Sequence, residues 1–122
     1  MARIIILEND RSFSDNMLEL LELEGHDLLE INEAAQIKHE LHAFNPDLLI
    51  VDVFIDRKMS GPALISSLRE GSDIPVLFII DVYSQVTFSD QIKQISNCDS
   101  LTKPFKAKNL VKAVKHLLGL SK

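Results

Sequence analysis

Short apolar runs alternate with stretches of helical periodicity along the whole chain. Ile4-Ile5-Ile6-Leu7, Leu48-Leu49-Ile50-Val51 and Val76-Leu77-Phe78-Ile79-Ile80 are continuous apolar runs, most of them rich in β-branched residues. Strands apolar on both faces belong to parallel sheets covered by helices on both sides. Leu28-Leu29-Glu30-Ile31 and Ser100-Leu101-Thr102 are weaker strand candidates. Helical patterns fill the gaps. Phe13, Met17, Leu20 and Leu21 share one helix face, with Ser12 and Asp15 reading as a capping box and Gly25 as the stop. Ile37, Leu41 and Phe44 form a second stripe, with Asn32 as the expected cap and Asn45-Pro46 as its end. Gly61-Pro62 opens a third helix carrying Leu64, Ile65 and Leu68, closed by Gly71. Ser84 is the expected cap of a fourth, with Phe88, Ile92 and Ile95. Leu110, Val111, Val114, Leu117 and Leu118 form the last stripe, ending at Gly119.

The order is strand then helix, repeated five times. Right-handed crossovers place such helices on both faces of one parallel sheet. A chain of 122 residues is too short for an eight-fold barrel, which needs roughly 200 or more. The expectation is one domain over residues 1–122, a doubly wound five-stranded α/β sheet of flavodoxin-like type with strand order 2-1-3-4-5. In that architecture ligands bind beyond the C-terminal strand ends, where the strand order reverses.

Composition narrows the function. Hydrophobic residues make up 46% and charged residues 25%, enough apolar material to exclude disorder as the dominant state. The net charge of −5 argues against direct nucleic-acid binding through phosphate contacts. The single cysteine, Cys98, excludes an internal disulfide, and no cysteine cluster reads as a zinc site. No apolar run approaches the roughly 20 residues of a membrane span, and polar residues from Glu8 onward do not suit a signal peptide. The expectation is a reduced, cytoplasmic protein with no membrane partner. Charge is unevenly placed: Met1 to Asp52 holds 12 acids and 3 bases, whereas Ser100 to Lys122 holds 6 lysines and no acid. Those lysines solvate a terminal helix and complement its negative end, or form a partner surface.

The strand ends carry the chemistry. Glu8-Asn9-Asp10 follows the first strand, Asp52 the third, Asp81 the fourth and Lys103-Pro104 the fifth. Converging carboxylates repel, and the repulsion is relieved by a bound cation or a raised pKa. Hard oxygen donors with several waters suit Mg²⁺. A carboxylate can attack phosphorus to give an acyl phosphate, and a lysine opposite would hold the phosphoryl oxygens.

Five segments at matching intervals carry a resemblance over essentially the whole chain. They are I-I-I-L-E-N-D at Ile4 to Asp10, P-D-L-L-I-V-D at Pro46 to Asp52, Gly61 with its helix, I-P-V-L-F-I at Ile74 to Ile79, and L-T-K-P-F at Leu101 to Phe105. In this the chain resembles the receiver domain of two-component response regulators. The resemblance implies a signalling phosphoacceptor, not an enzyme in its own right. It implies that Asp52 accepts a phosphoryl group from a histidine kinase or phosphotransfer protein. It implies that Lys103 contacts that group, and that Glu8, Asn9, Asp52 and the backbone carbonyl of Phe54 hold Mg²⁺. It also implies a Lys103-Pro104 bond that is commonly cis.

The departures are specific. Asn9 replaces the second acid of the pair, so Mg²⁺ should bind more weakly. Ile80 replaces the hydroxyl residue that bonds the phosphoryl group, Asp81 replaces a small residue, and Ser100 replaces the switch aromatic. The loop through Asp56-Arg57-Lys58-Met59 looks one residue longer than the common pattern. These features describe an atypical receiver and raise an alternative, a pseudo-receiver that binds proteins without phosphorylation. In that alternative Asp81 pairs with Lys103 as a built-in negative charge; the simpler reading makes Asp81 a solvated cap of the fourth helix. A small enzyme or flavin binder on the same fold is disfavoured, because no Gly-rich loop follows the first strand. Asp10 is expected to cap or solvate the first helix. His39 and His42 read as surface, His26 and His116 as helix-end or surface residues, and Phe105 as core. The resemblance directs a downstream protein, an output domain or a second copy to the face of the fourth helix, fifth strand and fifth helix. That face would draw on Lys93, Lys103, Lys106, Lys108, Lys112 and Lys115.

Overall fold

The computed structural model describes residues 2–8, 10–54, 60–68, 73–82 and 85–119. Five strands and five helices alternate: β1 (Arg3–Leu7), α1 (Arg11–Leu23), β2 (Asp27–Ile31), α2 (Ala35–Ala43), β3 (Leu48–Asp52), α3 (Gly61–Leu68), β4 (Val76–Asp81), α4 (Gln85–Lys93), β5 (Cys98–Lys103) and α5 (Ala107–Leu117). All sheet pairings are parallel and the strand order is β2-β1-β3-β4-β5, as the alternation predicts.

Successive strand residues point to opposite faces, so the continuous apolar runs feed two cores. Ile5, Leu7, Leu49, Val51, Phe78 and Ile80 pack with Ile37 of α2 and Leu64 and Ile65 of α3. Ile4, Ile6, Leu48, Ile50, Leu77 and Ile79 pack with Met17 and Leu21 of α1 and Leu110 and Val114 of α5. The three central strands are buried on both faces. Each fully buried aliphatic side chain there contributes about 1.5–3 kcal/mol relative to exposure.

Helix boundaries correct several expectations. Asp10 caps α1, as one reading expected, and Ser12 does not: the Asp10 carboxylate accepts the Phe13 N–H at 3.2 Å, and Ser12 lies inside the helix. Asn32 does not cap α2, whose N-cap is Ala34 with no side-chain hydrogen bond. Gly25 ends the α1 turn at φ +89°, a conformation that strains any other L-residue. Asn45 also takes a positive φ of 53° ahead of Pro46. The fifth strand is longer than its apolar content suggests, running from Cys98 to Lys103. Gly71, Ser84 and the segment 55–59 lie outside the described residues.

Gly61 matters to the site. A Cβ there would lie 2.6 Å from the Asp52 carbonyl oxygen and 3.0 Å from Val53 Cα. Its N–H donates to the Val53 carbonyl at 2.7 Å. Only glycine lets α3 start this close to the end of β3.

Candidate functional site

The two-residue period places the charged groups. Ile4 pairs with Leu48 and Ile6 with Ile50, so Glu8 and Asp52, two positions further on, leave the sheet side by side. Leu101 packs into the core beneath α1 and α5, and Lys103 follows two residues later on the same side. Three charged side chains thus converge on one end of the sheet. Lys103 Nζ lies 2.9 Å from Glu8 Oε1 and 3.6 Å from Asp52 Oδ2.

Both carboxylates are buried, Glu8 at 4% and Asp52 at 8% exposure. Asp52 Oδ1 accepts the Phe54 N–H at 3.0 Å, and Glu8 Oε2 accepts the Asp10 N–H at 3.1 Å. Glu8 Oε1 makes this ion pair but, buried as it is, has no hydrogen-bond partner among the described residues. Burial, then the hydrogen bond and negative charge of Glu8, push the Asp52 carboxyl up to about 7, against the Phe54 N–H and Lys103. Burial works against the Lys103 charge, but Glu8, Asp52 and Asp10 outweigh it and hold its pKa above the ordinary value. Near neutral pH the Asp52 carboxyl is therefore poised between its protonated and ionised forms, beside a firmly charged ammonium.

The ammonium has a third neighbour that the sequence did not disclose. It sits over the Phe13 ring, 4.5 Å from the centroid. Phe13 in turn meets Phe105 edge-to-face, with centroids 5.1 Å apart and an interplanar angle of 88°. Phe13 stood out only as one position of an apolar stripe, because nothing in the spacing pairs it with a residue 90 positions away.

The other expected residues fall as follows. Asn9 lies outside the described residues. Ile80 is buried at 2% within the α2–α3 core and brings no polar atom to the site. Ser100 is exposed on the edge strand. Asp81 ends β4 in register with Lys103, yet the ammonium turns to Glu8 and Asp52, and the charges acting on it are theirs and that of Asp10. The Asp81–Lys103 pair of the pseudo-receiver alternative is therefore not what the structure makes: Lys103 pairs with the two buried carboxylates instead of the partly exposed Asp81. The Lys103-Pro104 bond is cis. The Phe54 ring is about half exposed beside the site. His26 accepts the Ala2 N–H at the opposite end of the sheet, and His39 and His42 are exposed on α2. Among the described residues no three His, Cys, Asp or Glu side chains group closely enough to hold a metal ion. None of their helices is long and apolar enough to cross a membrane.

A doubly wound parallel sheet thus gathers a buried carboxylate, a second acid and a lysine at its C-terminal strand ends. Comparison with known proteins places it. The family model for the response regulator receiver domain matches residues 4–115, and the chain belongs to that family. The transcriptional regulatory protein KdpE of Staphylococcus aureus is 27% identical over 109 residues, covering 89% of this chain and 46% of that protein. The aerobic respiration control protein ArcA of Escherichia coli is 27% identical over 118 residues, covering 95% and 48%. The chain thus spans about half the length of these curated relatives. Among solved structures, the receiver domain of NtrX from Brucella abortus matches with a TM-score of 0.85 at 22% identity, covering 97% of this chain and 99% of that one. A response regulator receiver domain protein from Clostridium thermocellum matches at 0.85 and 18% identity, covering 98% and 95%. At these identities the two structures bear on the fold alone.

Proposed function

We propose that residues 1–122 form a cytoplasmic receiver domain in which Asp52 accepts a phosphoryl group from a histidine kinase or a phosphotransfer protein. The observation that carries this reading is the setting of Asp52. It is a buried carboxylate with one oxygen fixed by the Phe54 N–H and the other 3.6 Å from the Lys103 ammonium. The ionised Asp52 oxygen attacks phosphorus, the new O–P bond forms, and the P–N bond to the donor imidazole breaks. The imidazole nitrogen keeps the bonding pair and takes up a proton from solvent. Lys103 faces the charge that builds on the phosphoryl oxygens, where a fixed cation in a partly dry site is most effective.

The site also suits a divalent cation. Glu8 Oε1 is buried without a hydrogen bond among the described residues, and burial beside Glu8 raises the Asp52 carboxyl, a cost that a bound cation would relieve. Glu8, Asp52 and the Phe54 carbonyl would hold Mg²⁺, with Asn9 adding a neutral donor and waters completing the shell. Bound there, Mg²⁺ supplies neutralisation of the carboxylates and of the incoming phosphoryl oxygens. With fewer charged donors than two adjacent acids would give, the affinity is low. Downstream, the domain regulates a partner, an output domain or a second copy. Its relatives, a transcriptional regulator and a respiration control protein by name, are about twice its length.

The test is intact mass after incubation with acetyl phosphate, with and without Mg²⁺, using Asp52→Asn as control. A Mg²⁺-dependent phosphoryl adduct that the variant lacks is the expected result. No adduct on folded protein would overturn the proposal in favour of a phosphorylation-independent interaction module.

A further inference from the structure

The two side chains that would report phosphorylation toward α4 are absent in kind. Ile80 is buried with no hydroxyl, and Ser100 is exposed with no ring. On the other side of the sheet the structure offers a continuous set of contacts. Lys103 Nζ touches Glu8, Asp52 and the face of Phe13; Phe13 meets the edge of Phe105. Both rings line a groove of about 210 Å³ between α1 and the start of α5, together with Met17, Leu20 and Leu110.

We infer that Phe13 is a positioning residue for Lys103 and, through Phe105, couples the Asp52 site to the α1–α5 groove. This rests on the reading of Asp52 as the phosphoacceptor. The ring is the ammonium's one uncharged support among its described contacts, and it steadies the head group without competing for its protons. A phosphoryl group on Asp52 moves negative charge outward from the carboxylate. Lys103 follows that charge and leaves the ring. Phe13 then loses the cation on its face, its edge-to-face pairing with Phe105 loosens, and the groove changes shape. The conformational response to phosphorylation therefore lies on the α1–α5 side. The altered groove is favoured by as much as Lys103 prefers the phosphoryl oxygens to the ring and carboxylates.

The experiment uses the full chain and proton–carbon NMR of the Lys103 ε-methylene and the Met17, Leu110, Ile92 and Ile95 methyls. Phe13→Leu keeps the apolar volume and Phe13→Tyr keeps the ring. Ring-current shielding of the Lys103 signal is expected in the native chain and in Phe13→Tyr, and is lost in Phe13→Leu. Adduct formation from acetyl phosphate slows about fivefold in Phe13→Leu and recovers in Phe13→Tyr. Phosphorylation is expected to shift Met17 and Leu110 more than Ile92 and Ile95. Unchanged Lys103 shielding and rate in Phe13→Leu, or dominant shifts at Ile92 and Ile95, would overturn the inference. Asp52→Asn forms a separate arm, because it withdraws one of the two anions from Lys103 without phosphorylation. If the native chain takes no phosphoryl group, the phosphoacceptor reading fails and this arm still decides the coupling. Movement of Met17 in Asp52→Asn that disappears in the double variant with Phe13→Leu supports it. A Met17 signal unmoved by Asp52→Asn overturns it.

Discussion

Removing the charge of Asp52 should stabilise the Mg²⁺-free protein at neutral and alkaline pH. The carboxyl is raised from an ordinary 3.8 to about 7 by burial and by Glu8. A raised carboxyl pKa means that the folded state holds the proton more tightly than the unfolded chain does. Its contribution to stability is complete below 3.8 and is lost as pH climbs to about 7. At about 1.4 kcal/mol per pH unit, the full gap is a ceiling of about 4 kcal/mol. Asp52 keeps some solvent contact and shares Lys103 with Glu8, so about half of that is a sound expectation, about 2 kcal/mol. Asn cannot ionise, and its amide oxygen can still accept the Phe54 N–H. Urea unfolding in the presence of a chelator should show Asp52→Asn more stable by about 2 kcal/mol at pH 8 and by less than about 1 kcal/mol at pH 5. Added Mg²⁺ should close the gap at pH 8 by stabilising the native protein alone. A variant less stable than native at pH 8, or a difference independent of pH, would refute the view that burial and Glu8 raise the Asp52 carboxyl here.

Three further outcomes follow from the same geometry. Lys103→Met leaves Glu8 and Asp52 facing each other without a cation; it should cost about 2 kcal/mol at pH 8, less at pH 5 where a proton takes the cation's place, and slow adduct formation about 100-fold. The Lys103 pKa is raised above 10.5, so its contribution persists throughout that pH range and is lost only in more alkaline solution. Gly61→Ala forces a Cβ against the Asp52 carbonyl, and thermal unfolding should show a loss of about 1–3 kcal/mol together with a reduced adduct yield. Asp10→Ala should cost about 1 kcal/mol in urea unfolding, whereas Ser12→Ala should stay within about 0.5 kcal/mol, since Asp10 makes the capping bond.

Much of this arrangement is legible in the chain itself. Three apolar runs with no polar interruption define the central strands, because only a sheet covered on both faces buries every residue of a strand. Glu8, Asp52 and Lys103 stand out since each polar residue directly follows or ends a strand, where the topology gathers side chains. The edge strand β5 is harder to read: Asp99 and Ser100 are exposed, so its pattern lacks the apolar signal that marks the centre. The α1 cap is ambiguous in sequence, as Asp10 and Ser12 are both good cap residues and only the turn geometry selects one. Asp81 could be placed at the site but not oriented, because the choice of Lys103 between Asp81 and the Glu8–Asp52 pair is settled by burial. The Phe13 contact with Lys103 is wholly tertiary, made when α1 packs over the strand ends.

The central claim is that Asp52 itself takes the phosphoryl group. Borohydride reduces an aspartyl phosphate to homoserine, which peptide mass spectrometry can place residue by residue. After treatment with acetyl phosphate and Mg²⁺, the account predicts homoserine at position 52 in the peptide following Lys38, with Asp47 and Asp56 of the same peptide unmodified. Homoserine at another carboxylate, or none in protein shown to be folded, would contradict it.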